Sequence, residues 1–227
     1  MAESSPLLLL VLNVREEGKK VKYIDLSQKI DHDIPGYPGD IKVSLVRDKS
    51  IDADKYNAYS LSTGLHAGTH IDCPMHLLKS EKTIAEYPLE SFIGRGCLID
   101  ARAESEIDYK AEYDNKICQR DIVLILTGVD ALYGGDHYYN DHPVITEKLA
   151  RFFVSREIKM LGVDMPSPDF SPFPVHKILL ANGIFILENL AKLDQLIGTG
   201  HFEVHAVPLK IYAEASLTRA FAISYIE

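Results

Sequence analysis

The chain is short of most features that mark a protein class by composition alone, and each shortage narrows its function. Cysteine is the first: Cys73, Cys97 and Cys118 are the whole complement of 227 residues. That is too few, and an odd number, for a disulfide framework, and the spacings fit no zinc ribbon, so a reducing cytoplasm is the expected setting. Long apolar runs are missing too; none approaches the ~18 residues that a membrane span needs. The apolar run at residues 7–12 has Glu3 before it in place of a positive region. No small-residue cleavage site follows before Arg15, Glu16 and Glu17, so it reads as a buried strand and not a signal segment. Lys and Arg form no cluster and the net charge is −9. That balance argues against nucleic acid or an anionic membrane as the principal partner and for a small-molecule substrate. There is no internal repeat or low-complexity tract, and the length suits one domain over residues 1–227.

Along the chain, residues 7–14 and 21–26 are β-type runs parted by Glu16-Glu17-Gly18-Lys19-Lys20, which predicts an opening hairpin. Residues 31–40 end in Pro35-Gly36-Tyr37-Pro38-Gly39-Asp40, where two prolines and two glycines forbid regular structure and leave Tyr37 on a stiff loop. Residues 41–46 and 56–62 alternate as strands, 88–93 suits a short helix and 96–100 a strand. The polar stretch 102–116 reads as solvent-facing loop and helix. Five consecutive aliphatic residues at 122–126, bounded by Asp121 and Thr127-Gly128, mark a strand buried on both faces. Thr146 can cap a helix running to about Glu157, and 160–163 is another buried strand, so the β-α-β order predicts a parallel pair. Residues 134–143 are polar, aromatic and flexible, as a substrate-facing loop would be. Residues 175–180 read as a helix stopped by Asn182-Gly183, followed by a strand over 184–187 that ends in Glu188. Further strands are expected at 202–211 and 219–225.

The densest chemistry lies in residues 66–76, His-Ala-Gly-Thr-His-Ile-Asp-Cys-Pro-Met-His. His66, His70, Asp72 and His76 all hold even positions, so on an extended backbone they project from one face, while Cys73 points the other way and packs. Fully extended, the run would span about 33 Å, too far for one metal cluster, so the chain must bend. Gly68 and Pro74 are the places to do so. A helix would also bring His66 and His70 together at i and i+4, but Gly68 and Pro74 disfavour it. The stretch reads as a bent strand or loop that collects metal. His32, His137, His142, His201 and His205 read instead as surface or partly buried histidines.

The motif matches His-x-Gly-Thr-His-x-Asp-x-Pro-x-His at every fixed position. In this it resembles the metal-dependent hydrolases of the cyclase family, whose best-known members are bacterial kynurenine formamidases (arylformamidases), with isatin hydrolases as relatives. The similarity runs from about Tyr23 to about Ile223. It implies an α/β fold, a single domain with a mixed β-sheet or barrel-like core and a few helices, of the swivelling β/β/α type. It also implies two divalent metal ions per chain. His66, His70 and Asp72 would bind one, and Asp72 would bridge to a second completed by His176 and Glu188. Those two are twelve residues apart, and Glu188 sits in a matching Gly-Ile-x-Ile-Leu-Glu-Asn-Leu context. Ligands without thiolate suit zinc first, and also manganese or iron(II). His76 corresponds to the family's proton donor and acceptor, a role that suits an imidazole titrating near neutral pH, with a further ligand as the alternative. Tyr37 stands where formamidases usually carry tryptophan and would touch substrate. Asp164 and Ser167 resemble a segment that supports the second metal.

The activity implied is hydrolysis of a carbon-nitrogen amide bond, with N-formylkynurenine as substrate and kynurenine and formate as products, a step of tryptophan catabolism. Two departures keep an isatin-type cyclic amide or another small amide as the alternative. One is Tyr37; the other is Glu214-Ala215-Ser216-Leu217-Thr218-Arg219 in place of Asp-Gly-Ser-Pro-x-Arg. A metal-dependent binding protein without turnover is the rival from another class, disfavoured by the presence of His76. Family members are commonly homodimers or homotetramers.

Overall fold

The structure, a computed structural model, describes residues 20–32, 34 and 36–226. In chain order the strands are β1 (Lys20–Asp25), β2 (Ser44–Lys49), β3 (Ala58–Ser62), β4 (His70–Asp72), β5 (Ile93–Asp100), β6 (Glu106–Ile107) and β7 (Ile122–Leu126). They continue as β8 (Val144–Ile145), β9 (Met160–Val163), β10 (Phe185–Glu188), β11 (Phe202–His205), β12 (Ala215–Leu217) and β13 (Phe221–Ile226). Nine of them form one mixed sheet in the order β1-β13-β11-β5-β7-β9-β10-β4-β12. Its centre, β5 through β10, is parallel, and both flanks are antiparallel.

The centre follows from the aliphatic runs. In β7 all five side chains are buried. Val123 and Ile125 join a core beneath the two longest of the described helices, α1 (Glu147–Ser155) and α2 (Pro174–Ala181). Ile122, Leu124 and Leu126 join a second core on the other face. Burying five such side chains contributes on the order of 10 kcal/mol before entropy is counted. Truncating one, Leu124→Ala, should cost about 2–5 kcal/mol. Neighbouring β9 alternates in step, and Gly162 lies where a Cβ would meet Leu124 Cδ2 at 2.5 Å, so the close approach of the strands needs glycine there. Thr146 caps α1 by accepting from Leu149 N at 3.1 Å. α1 and the parallel β7–β9 pair match the reading of the sequence.

Other elements differ. Residues 7–14, and with them the expected opening hairpin, lie outside the described residues; Lys20–Asp25 pairs with β13 near the far end of the chain. The strand expected at 41–46 starts only at Ser44, and it pairs with β3 in a separate two-stranded sheet. The strand expected over 202–211 ends at His205, because Pro208 has no N–H to extend a ladder and makes one isolated bridge with Thr218. Residues 102–116 are not all solvent-facing: Ile107 and Tyr113 are fully buried, single apolar anchors among charged neighbours that leave no periodic signal. β12 was not expected at all, although it pairs with β4.

Candidate metal centre

The parallel strands end on one side of the sheet, where α/β folds gather their ligands, and there β4 is inserted between β10 and β12. Gly68 makes the bend before it at φ +63°. Within β4 the alternation expected from the sequence holds: Ile71 packs into the second core together with Cys73, leaving His70 and Asp72 on the opposite face. The register sets Glu188 of β10 directly across from His70, so two residues distant in the chain become a cross-strand pair. After Cys73 a 3-10 turn at Pro74–His76 folds the chain back and brings the His76 ring to 4.3 Å from that of His66.

His176 arrives by a different route. From His176 to the end of α2 is roughly 8 Å of helix, and from Phe185 to Glu188 roughly 10 Å of strand. The intervening turn at Asn182-Gly183, with Gly183 at φ +72°, reverses the chain, so the two residues come level. His176 Nε2 lies 3.2 Å from Glu188 Oε1 and 4.0 Å from Asp72 Oδ2. Its Nδ1 donates to Asp169 Oδ1 at 2.5 Å, and Asp169 Oδ2 accepts from Val175 N at 2.6 Å. Ser167 in turn braces Asp169, its Oγ donating to Asp169 O at 2.6 Å. Asp164 instead holds the turn after β7, accepting from the amides of Thr127 and Gly128 and from the Thr127 hydroxyl.

The centre of this arrangement is rich in acceptors, and imidazoles are the neighbours that approach them. His70 Nε2, both carboxylate oxygens of Asp72 and Glu188 Oε1 are buried without a hydrogen-bond partner. Two sets of ligand atoms lie within 4.8 Å of one another: His66, Asp72 and His76, and His70, Asp72 and Glu188. His70 Nε2 is 3.2 Å from Glu188 Oε2 and 3.6 Å from Asp72 Oδ1; His66 Nδ1 is 3.0 Å from Asp72 Oδ1. Imidazole nitrogens and carboxylate oxygens converging in this way are the donor set of divalent zinc, manganese or iron sites, and the residues fit such ions.

Protons show the same field. Burial alone would lower the pKa of His66 and His176, yet Asp72 raises His66 to about 9, and Asp169 and Glu188 raise His176 to about 10. Burial would push Asp72 and Glu188 up, but the histidines around them hold both below the usual carboxylate range. His76 is different: burial carries it below the ordinary imidazole value.

The site opens into a cavity of about 170 Å³ walled by Tyr37, Tyr133, Tyr139 and Phe173, with Asp40 also lining it. Tyr37 and Tyr139 meet edge to face at 6.1 Å. Among the described residues no Lys or Arg lines this cavity.

The structure therefore brings together His66, His70, Asp72, His76, His176, Glu188 and Tyr37. It also places His76 close enough to His66 and Asp72 to serve as a ligand. The 134–143 stretch contains a short helix, Asp136–Asn140, and contributes Tyr139 to the cavity wall. Cys73 is buried away from the site, and burial raises its pKa. Sequence reasoning missed Asp169, Asn189 and Glu214. Asp169 had one faint signal, an acidic residue ahead of a helix that opens with proline. Asn189 was visible beside Glu188, and Glu214, whose Oε1 lies 3.5 Å from His66 Nε2, was seen only as a departure from a pattern.

Comparison with known proteins points the same way. A family model described as "Putative cyclase" matches residues 24–170. Kynurenine formamidase of Bacillus mycoides (strain KBAB4) is 30% identical over 214 residues, covering 89% of this chain and 97% of the relative. Isatin hydrolase A from Labrenzia aggregata, solved with benzyl benzoate, superposes with a TM-score of 0.82 at 24% identity, over 98% of this chain and 100% of its own. A solved "potential metal-dependent hydrolase with cyclase activity" gives 0.76 at 23%, over 92% and 100%. With the family model spanning well over half its length, the chain belongs to the putative cyclase family.

Proposed function

We propose that this cyclase-family hydrolase opens the formamide bond of N-formylkynurenine, giving kynurenine and formate. The observation that carries the reading is the buried, unpartnered acceptor set of His70, Asp72 and Glu188 beside an aromatic-walled cavity. Two divalent ions suit it, one held by His66, His70 and Asp72 and the other by Asp72, His176 and Glu188, with zinc first and manganese or iron(II) able to use the same ligands. When bound, such ions supply Lewis acidity toward an amide carbonyl and make water a stronger acid.

The remaining work falls to the chain's own groups. His76 lines the cavity, and with its pKa lowered by burial it is a neutral base at pH 7. A nitrogen of its imidazole takes a proton from the attacking water and returns it to the aryl amine nitrogen as the C–N bond breaks. Tyr37 and Tyr139 offer ring faces and edges to an aryl group. Asp40, in a lining whose described residues include no Lys or Arg, suits the ammonium of an amino-acid tail. The exposed thiol of Cys118 suits a reducing cytoplasm. Exposed Val46, Tyr59 and Leu61 on β2 and β3 suit cover by a second copy in a homodimer or homotetramer.

Formate release from N-formylkynurenine by zinc- or manganese-loaded protein tests the reading, with isatin ring opening assayed in parallel. Opening of isatin without formate release would favour the cyclic-amide alternative. Turnover of neither would remove the substrate assignment.

A further inference from the structure

Asn189 holds an uncommon position. It follows Glu188 at the end of β10, it is buried, and its backbone is left-handed at φ 55°, a conformation that asparagine tolerates better than most L residues. That backbone is anchored independently of the side chain. Its N–H donates to Met165 O at 3.1 Å, and its carbonyl accepts from Thr69 Oγ1 at 2.6 Å.

The carboxamide is gripped at both ends. The Tyr138 hydroxyl donates to Oδ1 at 2.7 Å, and Nδ2 donates to the Gly68 carbonyl at 2.9 Å. These bonds fix the amide's orientation, because the flipped amide would set Oδ1 against a carbonyl oxygen, acceptor against acceptor. The Gly68 carbonyl is shared: His70 Nδ1 stands 2.8 Å from it. A carbonyl has no proton to give, so Nδ1 carries the hydrogen. Asn189 Nδ2 also lies 3.4 Å from His70 Nδ1, but two donors make no bond, and the shorter contact decides. His70 is thereby left with Nε2 free toward Glu188 and Asp72.

We propose that Asn189 is a positioning residue: it holds the Gly68 carbonyl as acceptor and so sets the tautomer and ring orientation of His70, while Tyr138 locks the Asn189 amide. Its effect on ion affinity rests on the metal-centre reading above; its effect on the tautomer does not.

Asn189→Gly is the informative variant, since glycine keeps the left-handed backbone and both backbone bonds and removes only the carboxamide. Two readouts are needed. Nitrogen-15 NMR of the metal-free protein should show the Nδ1–H tautomer of His70 in the parent and a mixture in Asn189→Gly. Zinc affinity by chelator competition should fall about 10–100-fold, the range for loss of an outer partner of a ligand histidine. Tyr138→Phe should lose less. The double variant should bind no more weakly than Asn189→Gly alone, because Tyr138 acts through Asn189. A folded Asn189→Gly that keeps the Nδ1–H tautomer and the parent's zinc affinity overturns the proposal, as does additivity of the two substitutions. Should Asn189→Gly fail to fold, Tyr138→Phe against its parent supplies the same tautomer comparison. A parent that binds no zinc or manganese defeats the metal reading, and the tautomer comparison still decides the role of Asn189.

Discussion

Replacing Asp169 by asparagine separates the charge behind His176 from the shape of its surroundings. Asp169 uses both oxygens, one for His176 Nδ1–H at 2.5 Å and one for the Val175 amide at 2.6 Å. With Pro174 at the first helical position, that amide is the first N–H of α2 that needs a partner. Asparagine keeps one acceptor and puts an NH₂ where the other stood, so one of the two donors must face a donor. Loss of a hydrogen bond to a charged group costs about 1.5–3 kcal/mol, which is roughly 10- to 100-fold in an equilibrium constant. The side chain is similar in volume and Ser167 still braces the loop, so the fold should survive. Zinc titration against a competing chelator should show one ion weakened by that factor, with activity reduced at limiting metal and largely recovered in excess. A variant that binds both ions as tightly as its parent would refute the claim that Asp169 tunes His176 for a cation.

Five further outcomes are expected. His76→Ala should keep its full metal content and lose about 10²–10⁴-fold in kcat, the range of general acid-base catalysis; loss of an ion, restored by added metal, would make His76 a ligand instead. Tyr37→Ala should lower kcat/KM on an aryl formamide by roughly tenfold, and an equal loss on an aliphatic formamide would show that the loop supplies shape and not ring contact. Metal loading near pH 7 should release protons, read by calorimetry in buffers of different ionisation enthalpy, because His66 and His176 are held protonated up to about 9 and about 10 without an ion. Since these folded values lie above that of the unfolded chain, the stability from these pairs is complete below about pH 6.5 and is lost as pH rises through 9 to 10. Metal-free protein should therefore melt earlier across that window, and metal should abolish the slope. Gly96→Ala would drive a Cβ into the Phe202 ring and should destabilise the protein by about 1–3 kcal/mol in denaturant unfolding.

What the sequence revealed and what it concealed divide along a physical line. Local signals were legible: the aliphatic run of β7, the Thr146 cap of α1, the stop of α2 at Asn182-Gly183, and the even spacing that puts His70 and Asp72 on one face of β4. Pairings between distant segments were not. Nothing near residues 21–26 announces that they pair with β13, and three residues at Ala215–Leu217 are too few for periodicity to register as a strand. The same holds in the site. The ligand comb stands out because its residues are dense in the chain. Asp169, Asn189 and Glu214 act on it singly, each through a hydrogen bond or close approach that only folding creates.

This division bears on how the centre is assembled. Residues 66–76 alone offer three imidazoles and one carboxylate, but Asp72 and His70 are desolvated only when β4 lies between β10 and β12. The same pairing brings Glu188 across from His70, adding a second negative charge to a place where burial already penalises the first. Without a cation the sheet holds two buried carboxylates that only protonated histidines offset. On the proposed reading, a cation there would turn the charges that oppose closure of this edge into ligands. Sheet pairing at β4 and cation binding would then stabilise each other, and the strand too short to be secure by its own ladder is the one that would carry the ligands.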